Sequence, residues 1–307
     1  MSLLPRGIYP ASVTPFLESG EVDFASVARL MAYFEAAGCS GVVVGGTNGE
    51  GPSLSAVERR DLCREAVRLA GRLLVIQGIA TASLPEAIWL CEQAGKAGAR
   101  AALVMPPGYF RTASDAAIVA WFHALLDAAP IPIICYNFPK MTGITLSQAM
   151  IEQLAQHDRF GGVKDSSGDV ANLTAYRSVT HQRHALLVGN ETLLLQALEA
   201  GWTGSISGAA NVVPQWLSRI VLEWDDAAQR ESARAKFALI IPILEAVRSQ
   251  GQPAMNKCVL HEWGLIARAT PRLPLTEPPK QDAREILSQI KATLGLRTGE
   301  LGLVNRH

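Results

Sequence analysis

Phe160-Gly161-Gly162-Val163-Lys164-Asp165-Ser166-Ser167-Gly168 is a short apolar run ending in one lysine and then small polar residues. It is too short for a helix and is bounded by glycine, as a buried strand of a parallel sheet would be, with Lys164 near its C-terminal end. A lysine amine attacks a ketone only when unprotonated, and burial in an apolar interior favours that neutral form. Iminium formation and aldol chemistry also need a proton shuttle. Tyr136, Thr47 and Tyr109 are the candidates, because a tyrosine hydroxyl held by a second hydroxyl can carry a proton. Gly45-Gly46-Thr47-Asn48-Gly49-Glu50-Gly51 holds four glycines in seven residues, so its backbone N–H groups can turn toward a small anion, a carboxylate or a phosphate.

These groups are far apart in the chain, so a fold has to bring them together. Gly7 to Val13 reads as a first strand, and Asp23 to Ala37 carries Val27, Leu30, Met31 and Phe34 at helical spacing. Further strands follow around Val42-Val43-Val44, Leu73 to Ile76, Ala99 to Met105, Ile131 to Tyr136, Lys164, Ala185 to Gly189 and Thr203 to Ser207. Helical stretches separate them, two opening with the capping-box patterns Ser55-x-x-Glu58 and Ser83-x-x-Glu86. Eight β/α units by about residue 224 predict an α/β protein of the (β/α)8 TIM-barrel type, in which strand C-termini converge on one pocket. No Gly-x-Gly-x-x-Gly turn follows the first strand to favour an open dinucleotide-binding sheet. Residues 1–224 are expected to form the barrel with the catalytic site. Residues 225–307 are expected to form a C-terminal helical extension, with Ala227 to Gln250 kinked at Pro242, an extended proline-marked connection, and a helix over Pro279 to Leu294.

Basic and acidic residues balance at 28 each, so net charge draws the chain neither to nucleic acid nor to a membrane surface, and a small soluble ligand is expected. Cys39, Cys63, Cys91, Cys135 and Cys258 lack CxxC spacing and read as buried free thiols of a reducing compartment. With no secretory signal pattern after Met1 and no run of membrane-spanning length, the expectation is cytoplasmic. The histidines, His123, His157, His181, His184, His261 and His307, show no ligand spacing with carboxylates, so neither metal nor cofactor is expected.

Gly46-Thr47-Asn48-Gly49-Glu50, Tyr136-Asn137-x-Pro139, Gly162-Val163-Lys164-Asp165 and Ser205-Ile206-Ser207 resemble, in order and spacing, the dihydrodipicolinate synthase/N-acetylneuraminate lyase family. The resemblance covers nearly the whole chain, including Arg272-Leu273-Pro274-Leu275. It implies a pyruvate Schiff base on Lys164 and a homotetramer built as a dimer of dimers. It also implies proton relay by Tyr136 hydrogen-bonded to Thr47, with Tyr109 reaching the partner's site. Thr47 and Asn48 would hold the pyruvoyl carboxylate, and Gly189 and Ile206 would line the lysine's pocket.

Three departures bear on substrate. Synthases of this kind carry an arginine shortly after the Tyr-Asn-x-Pro motif to grip the second substrate's carboxylate, and here Met141 stands there, beside Lys140. Asn48 replaces a hydroxyl residue, as in 4-hydroxy-2-oxoglutarate aldolases, and Lys164-Asp165-Ser166 resembles aldolases for hydroxy-keto or 2-keto-3-deoxy sugar acids. Ala82 and Gly108 replace residues that serve lysine feedback in some synthases. The expected activity is therefore a pyruvate-dependent class I aldolase, first for a short 4-hydroxy-2-oxo acid or 2-keto-3-deoxy sugar acid. Synthesis of dihydrodipicolinate from pyruvate and aspartate semialdehyde is the alternative, and a non-catalytic keto-acid sensor the third reading.

Overall fold

The computed structural model describes residues 3–295, and His307 lies outside them. Alternation holds from the first strand onward. β1 (Gly7–Pro10) leads to α1 (Phe24–Ala36), β2 (Gly41–Val44) to α2 (Ala56–Leu69), β3 (Leu74–Ile79) to α3 (Leu84–Ala97), and β4 (Ala101–Val104) to α4 (Asp115–Ala128). β5 (Ile133–Asn137) is followed by a single turn, α5 (Pro139–Thr142), and by α6 (Gln148–Leu154). β6 (Phe160–Asp165), α7 (Ala171–Val179), β7 (Ala185–Val188), α8 (Leu194–Glu199), β8 (Gly204–Ser207) and α9 (Pro214–Asp225) complete the eight units. All strand pairs are parallel, in the order β1-β8-β7-β6-β5-β4-β3-β2. A parallel bridge from Ala11 to Val43, with Ser12 N–H donating to Val43 O at 2.9 Å, joins the two ends into a (β/α)8 barrel.

Side chains alternate across each strand, so one set fills the barrel and the other packs under the helices. Tyr9, Val43, Ile76, Leu103, Ile134, Leu187 and Ile206 form the inner cluster, and a larger apolar layer joins sheet to helices. Helix starts follow local chemistry: Asp23, Ser55, Ser83, Ser114 and Ser147 each accept a hydrogen bond from a first-turn N–H. Ser55 and Glu58 make the reciprocal box. At Ser83 only half of it forms. The Glu86 carboxylate is taken by Arg59 and by Thr81 Oγ1 at 2.8 Å and does not turn back to the cap.

α10 (Arg230–Ser249) runs through Pro242, and α11 (Ala254–Glu262) fills part of what the sequence reads as an extended connection. The last helix, α12 (Lys280–Leu294), packs against both. Among the described residues no helix is long and apolar enough to cross a membrane. Arg272 fastens the segment between α11 and α12 to the barrel. Its guanidinium donates to Gly20 O at 2.6 Å, Ser53 O at 2.9 Å and both Glu58 carboxylate oxygens.

The Arg272 guanidinium holds the Glu58 carboxyl down at about 2, from an ordinary 4.5. A carboxylate with a depressed folded pKa contributes stability above its unfolded pKa and loses it as pH falls through the folded one. Lowering the pH from 4.5 to 2 is therefore expected to reduce the urea midpoint more steeply in the wild type than in Glu58→Gln. Parallel pH profiles of the two proteins would refute this contribution.

Candidate active site

Lys164 ends up 5% exposed at the C-terminal end of β6, within the barrel. β5 and β6 pair with Tyr136 beside Lys164, and this register puts the lysine Nζ 4.2 Å from the centre of the Tyr136 ring. The adjacent Asp165 points to the other face of the strand. It accepts from Asn137 Nδ2 at 2.7 Å and Ser167 Oγ at 2.8 Å, so it serves the loop and does not pair with the lysine.

Two residues after Lys164, just past the end of β6 and on the same face, Ser166 Oγ donates to Tyr136 Oη at 3.4 Å. The resemblance assigns that partnership to Thr47. In this structure no hydrogen bond joins Thr47 to Tyr136, and Ser166 stands in its place. Ser166 was legible in principle, because a residue two positions from Lys164 along extended backbone faces the same pocket.

Gly189 follows β7 and closes this corner. A Cβ there would collide with Ser166 Oγ and lie 2.9 Å from Lys164 Cε, so the absent side chain is the space that the lysine and serine occupy. Ile206 is fully buried on β8 among the inner residues. The structure thus brings Lys164, Tyr136, Gly189 and Ile206 together. Tyr109 it leaves apart: 87% exposed on the turn after β4, it meets the Phe110 ring edge-on at 5.3 Å. Met141 is 59% exposed on α5, and Lys140 beside it is exposed as well.

The glycine-rich loop is fixed from outside the barrel. Glu50 is the only non-glycine residue with positive φ among the described residues, at 54°, a conformation that costs about 1–3 kcal/mol and needs support. Lys257 of α11 forms an ion pair with Glu50, both side chains being fully buried, and Arg272 N–H donates to Glu50 Oε2 at 2.8 Å. Burial pushes the Lys257 ammonium down, and the Glu50 charge opposes that shift. The preceding residue in α11, Asn256, donates from Nδ2 to Asn48 Oδ1 at 2.9 Å and to Gly208 O at 3.0 Å. These supports are more than 200 positions away in sequence, and no local pattern signals them.

The chain matches the Dihydrodipicolinate synthetase family over residues 4–293. It belongs to that family. Members are pyruvate-dependent class I aldolases, and this chain is accordingly a carbon–carbon lyase. It is 33% identical over 287 residues to the 4-hydroxy-tetrahydrodipicolinate synthase of Archaeoglobus fulgidus, covering 94% of this chain and 98% of the relative. To the protein of that name in Hyphomonas neptunium it is 34% identical over 298 residues, covering 95% and 99%. Among solved structures it resembles the chloride-inhibited dihydrodipicolinate synthase of Acinetobacter baumannii complexed with pyruvate, with 30% identity, 95% and 99% coverage and a TM-score of 0.88.

Removing the cation from the Glu50–Lys257 pair strands a buried carboxylate. Lys257→Met is expected to lower unfolding free energy by about 3–5 kcal/mol in urea titrations, and the double variant Lys257→Met/Glu50→Gln to recover a substantial part of it. Additive losses would show that the two charges do not support each other.

Proposed function

We propose that this member of the Dihydrodipicolinate synthetase family activates pyruvate as an iminium on Lys164 and makes or breaks a carbon–carbon bond at the pyruvate methyl carbon. The observation that carries the reading is a buried lysine amine 4.2 Å from the Tyr136 ring, with no carboxylate among its partners. Lys164 Nζ attacks the C2 carbonyl and water leaves. Loss of a C3 proton then gives the enamine, whose C3 adds to an aldehyde carbon. Tyr136, with Ser166 on its hydroxyl, relays protons to and from the oxygens that change charge. Thr47 and Asn48 hold the pyruvate carboxylate at the glycine-rich loop, and Gly189 and Ile206 shape the lysine's side of the pocket. In this reading two copies associate so that the exposed Tyr109 enters the neighbouring site, within a tetramer.

For the acceptor, the curated relatives support condensation with aspartate semialdehyde, and they support it better than the hydroxy-oxo acid cleavage that the sequence puts first. One observation favours the cleavage reading. The position where an arginine would grip the acceptor's carboxylate holds the exposed thioether of Met141, which cannot form a bidentate ion pair.

Borohydride reduction in the presence of pyruvate is expected to fix a three-carbon adduct on Lys164, located by mass spectrometry and absent without pyruvate. Tyr136→Phe is expected to lower kcat about 10²–10⁴-fold while the adduct still forms. An unlabelled Lys164 would defeat the mechanism. Turnover of pyruvate with aspartate semialdehyde, set against retro-aldol release of pyruvate from 4-hydroxy-2-oxo acids, decides the acceptor.

A further inference from the structure

Beyond Lys164, the site carries a second polar group that neither the iminium chemistry nor the pyruvate carboxylate uses, the side-chain amide of Gln252; it faces the side chain of Asn48, whose backbone N–H belongs to the anion-holding loop. Gly208 directly follows β8, two residues after the inward-facing Ile206, so its missing side chain also faces the barrel axis. A Cβ at Gly208 would collide with Gln252 Oε1 and come within 2.8 Å of Asn48 Nδ2. The Gln252 amide therefore takes the room that a side chain at position 208 would need, and Asn48, from the other end of the chain, borders it.

Their hydrogen-bond states differ in a useful way. Asn48 Oδ1 is occupied by Asn256 Nδ2 at 2.9 Å, which fixes the amide and leaves Asn48 Nδ2 as the free donor on the Gly208 side. Gln252 makes no hydrogen bond through its side chain, and its Nε2 is buried without a partner. A buried amide left unpaired is unfavourable, so a ligand group that hydrogen-bonds to Gln252 would be favoured there. Gly208 itself is held in place, since its carbonyl accepts from Asn211 Nδ2 at 2.8 Å and Asn256 Nδ2 at 3.0 Å.

Distance along the strands fits the acceptor half of the reaction. The β7–β8 register sets Val188 opposite Ser205, which puts Gly189, beside Lys164, level with Ile206. Gly208 then lies two residues, about 6–7 Å, further toward the barrel mouth. That is the separation between the nitrogen bound to C2 and a substituent two or three carbons along an extended chain.

We propose that Gln252 and Asn48, across Gly208, form a specificity subsite for a hydroxyl group on the acceptor part of the substrate. This rests on the Lys164 iminium reading and assigns that same site its acceptor class: a neutral, hydroxylated aldehyde. A hydroxyl donates and accepts at once, so it satisfies the Gln252 Oε1 acceptor and the Asn48 Nδ2 donor together. A carboxylate only accepts, and would face the lone pairs of an amide oxygen.

Glycolaldehyde and propanal differ by a hydroxyl in place of a methyl, and each can be condensed with pyruvate by the purified full chain. The wild type is expected to prefer glycolaldehyde by at least about 10-fold in kcat/KM. Gln252→Leu should collapse that ratio at least about 10-fold. Gln252→Glu, which keeps an acceptor oxygen, should hold it within about 3-fold of wild type. Borohydride labelling of Lys164 by pyruvate is followed in all three proteins. Labelled wild type with a ratio near one, or labelled Gln252→Leu with an unchanged ratio, overturns the subsite while the iminium stands. Failure to label the wild type overturns the iminium reading and the subsite with it.

Discussion

The buried ion pair between Glu50 and Lys257 is the contact through which the C-terminal helices become part of the catalytic barrel. Both charges are wholly removed from water. A buried pair gains from further hydrogen bonds to each ion, and here Arg272 N–H adds one to Glu50 Oε2 and Thr270 O accepts one from Lys257 Nζ. Lys257 and Arg272 also lie over the Phe16 ring at 4.1 Å and 4.5 Å, so a loop after β1 is drawn into the same cluster. The consequence appears at Glu50, whose left-handed backbone turns the glycine-rich loop and presents Thr47 and Asn48 at the barrel mouth. An α11 displaced from this position would release Glu50 and also withdraw Asn256 from Asn48.

Barrel closure solves the other half of the positioning problem. Parallel pairing sets Tyr136 level with Lys164 without any direct bond between them, because register alone fixes neighbouring side chains on one face. Alternation then sorts the residues after the lysine: Asp165 to the outer network of Asn137, Ser167 and Asn172, Ser166 to the pocket. A single-residue slip would turn Asp165 into the pocket and Lys164 out toward the helices, taking the amine away from Tyr136.

How much of this the sequence carried depends on whether the determinant was local. Eight strands, their parallel order and the lysine at a strand end were legible, because hydrophobic runs, capping serines and short connections are written within a few residues. The half-formed box at Ser83 escaped, since Arg59, a residue of the preceding helix, takes the Glu86 carboxylate. The helix over Ala254–Glu262 escaped as well. It is buried nearly all round, so no amphipathic stripe marks it, and the prolines after it read as continuous loop. Thr47 was assigned to Tyr136 by resemblance, whereas the hydroxyl that reaches Tyr136 stands two residues after the lysine, just beyond the strand's end.

The same distinction bears on substrate choice. A carboxylate-bearing acceptor is most strongly selected by a cation with a fixed fork, and α5 offers Met141 and the mobile stem of Lys140 where that fork would stand. Neutral hydroxylated acceptors are selected differently, by amides that lose a hydrogen bond when the hydroxyl is missing, and these must be held rigid to discriminate. Asn48 is held by Asn256, and Asn256 is the residue before Lys257. The ion pair that braces the glycine-rich loop therefore also braces the amide facing Gly208. The glycine-rich loop and the amide facing Gly208 are thus coupled through one turn of α11, and a displacement of that turn moves both together.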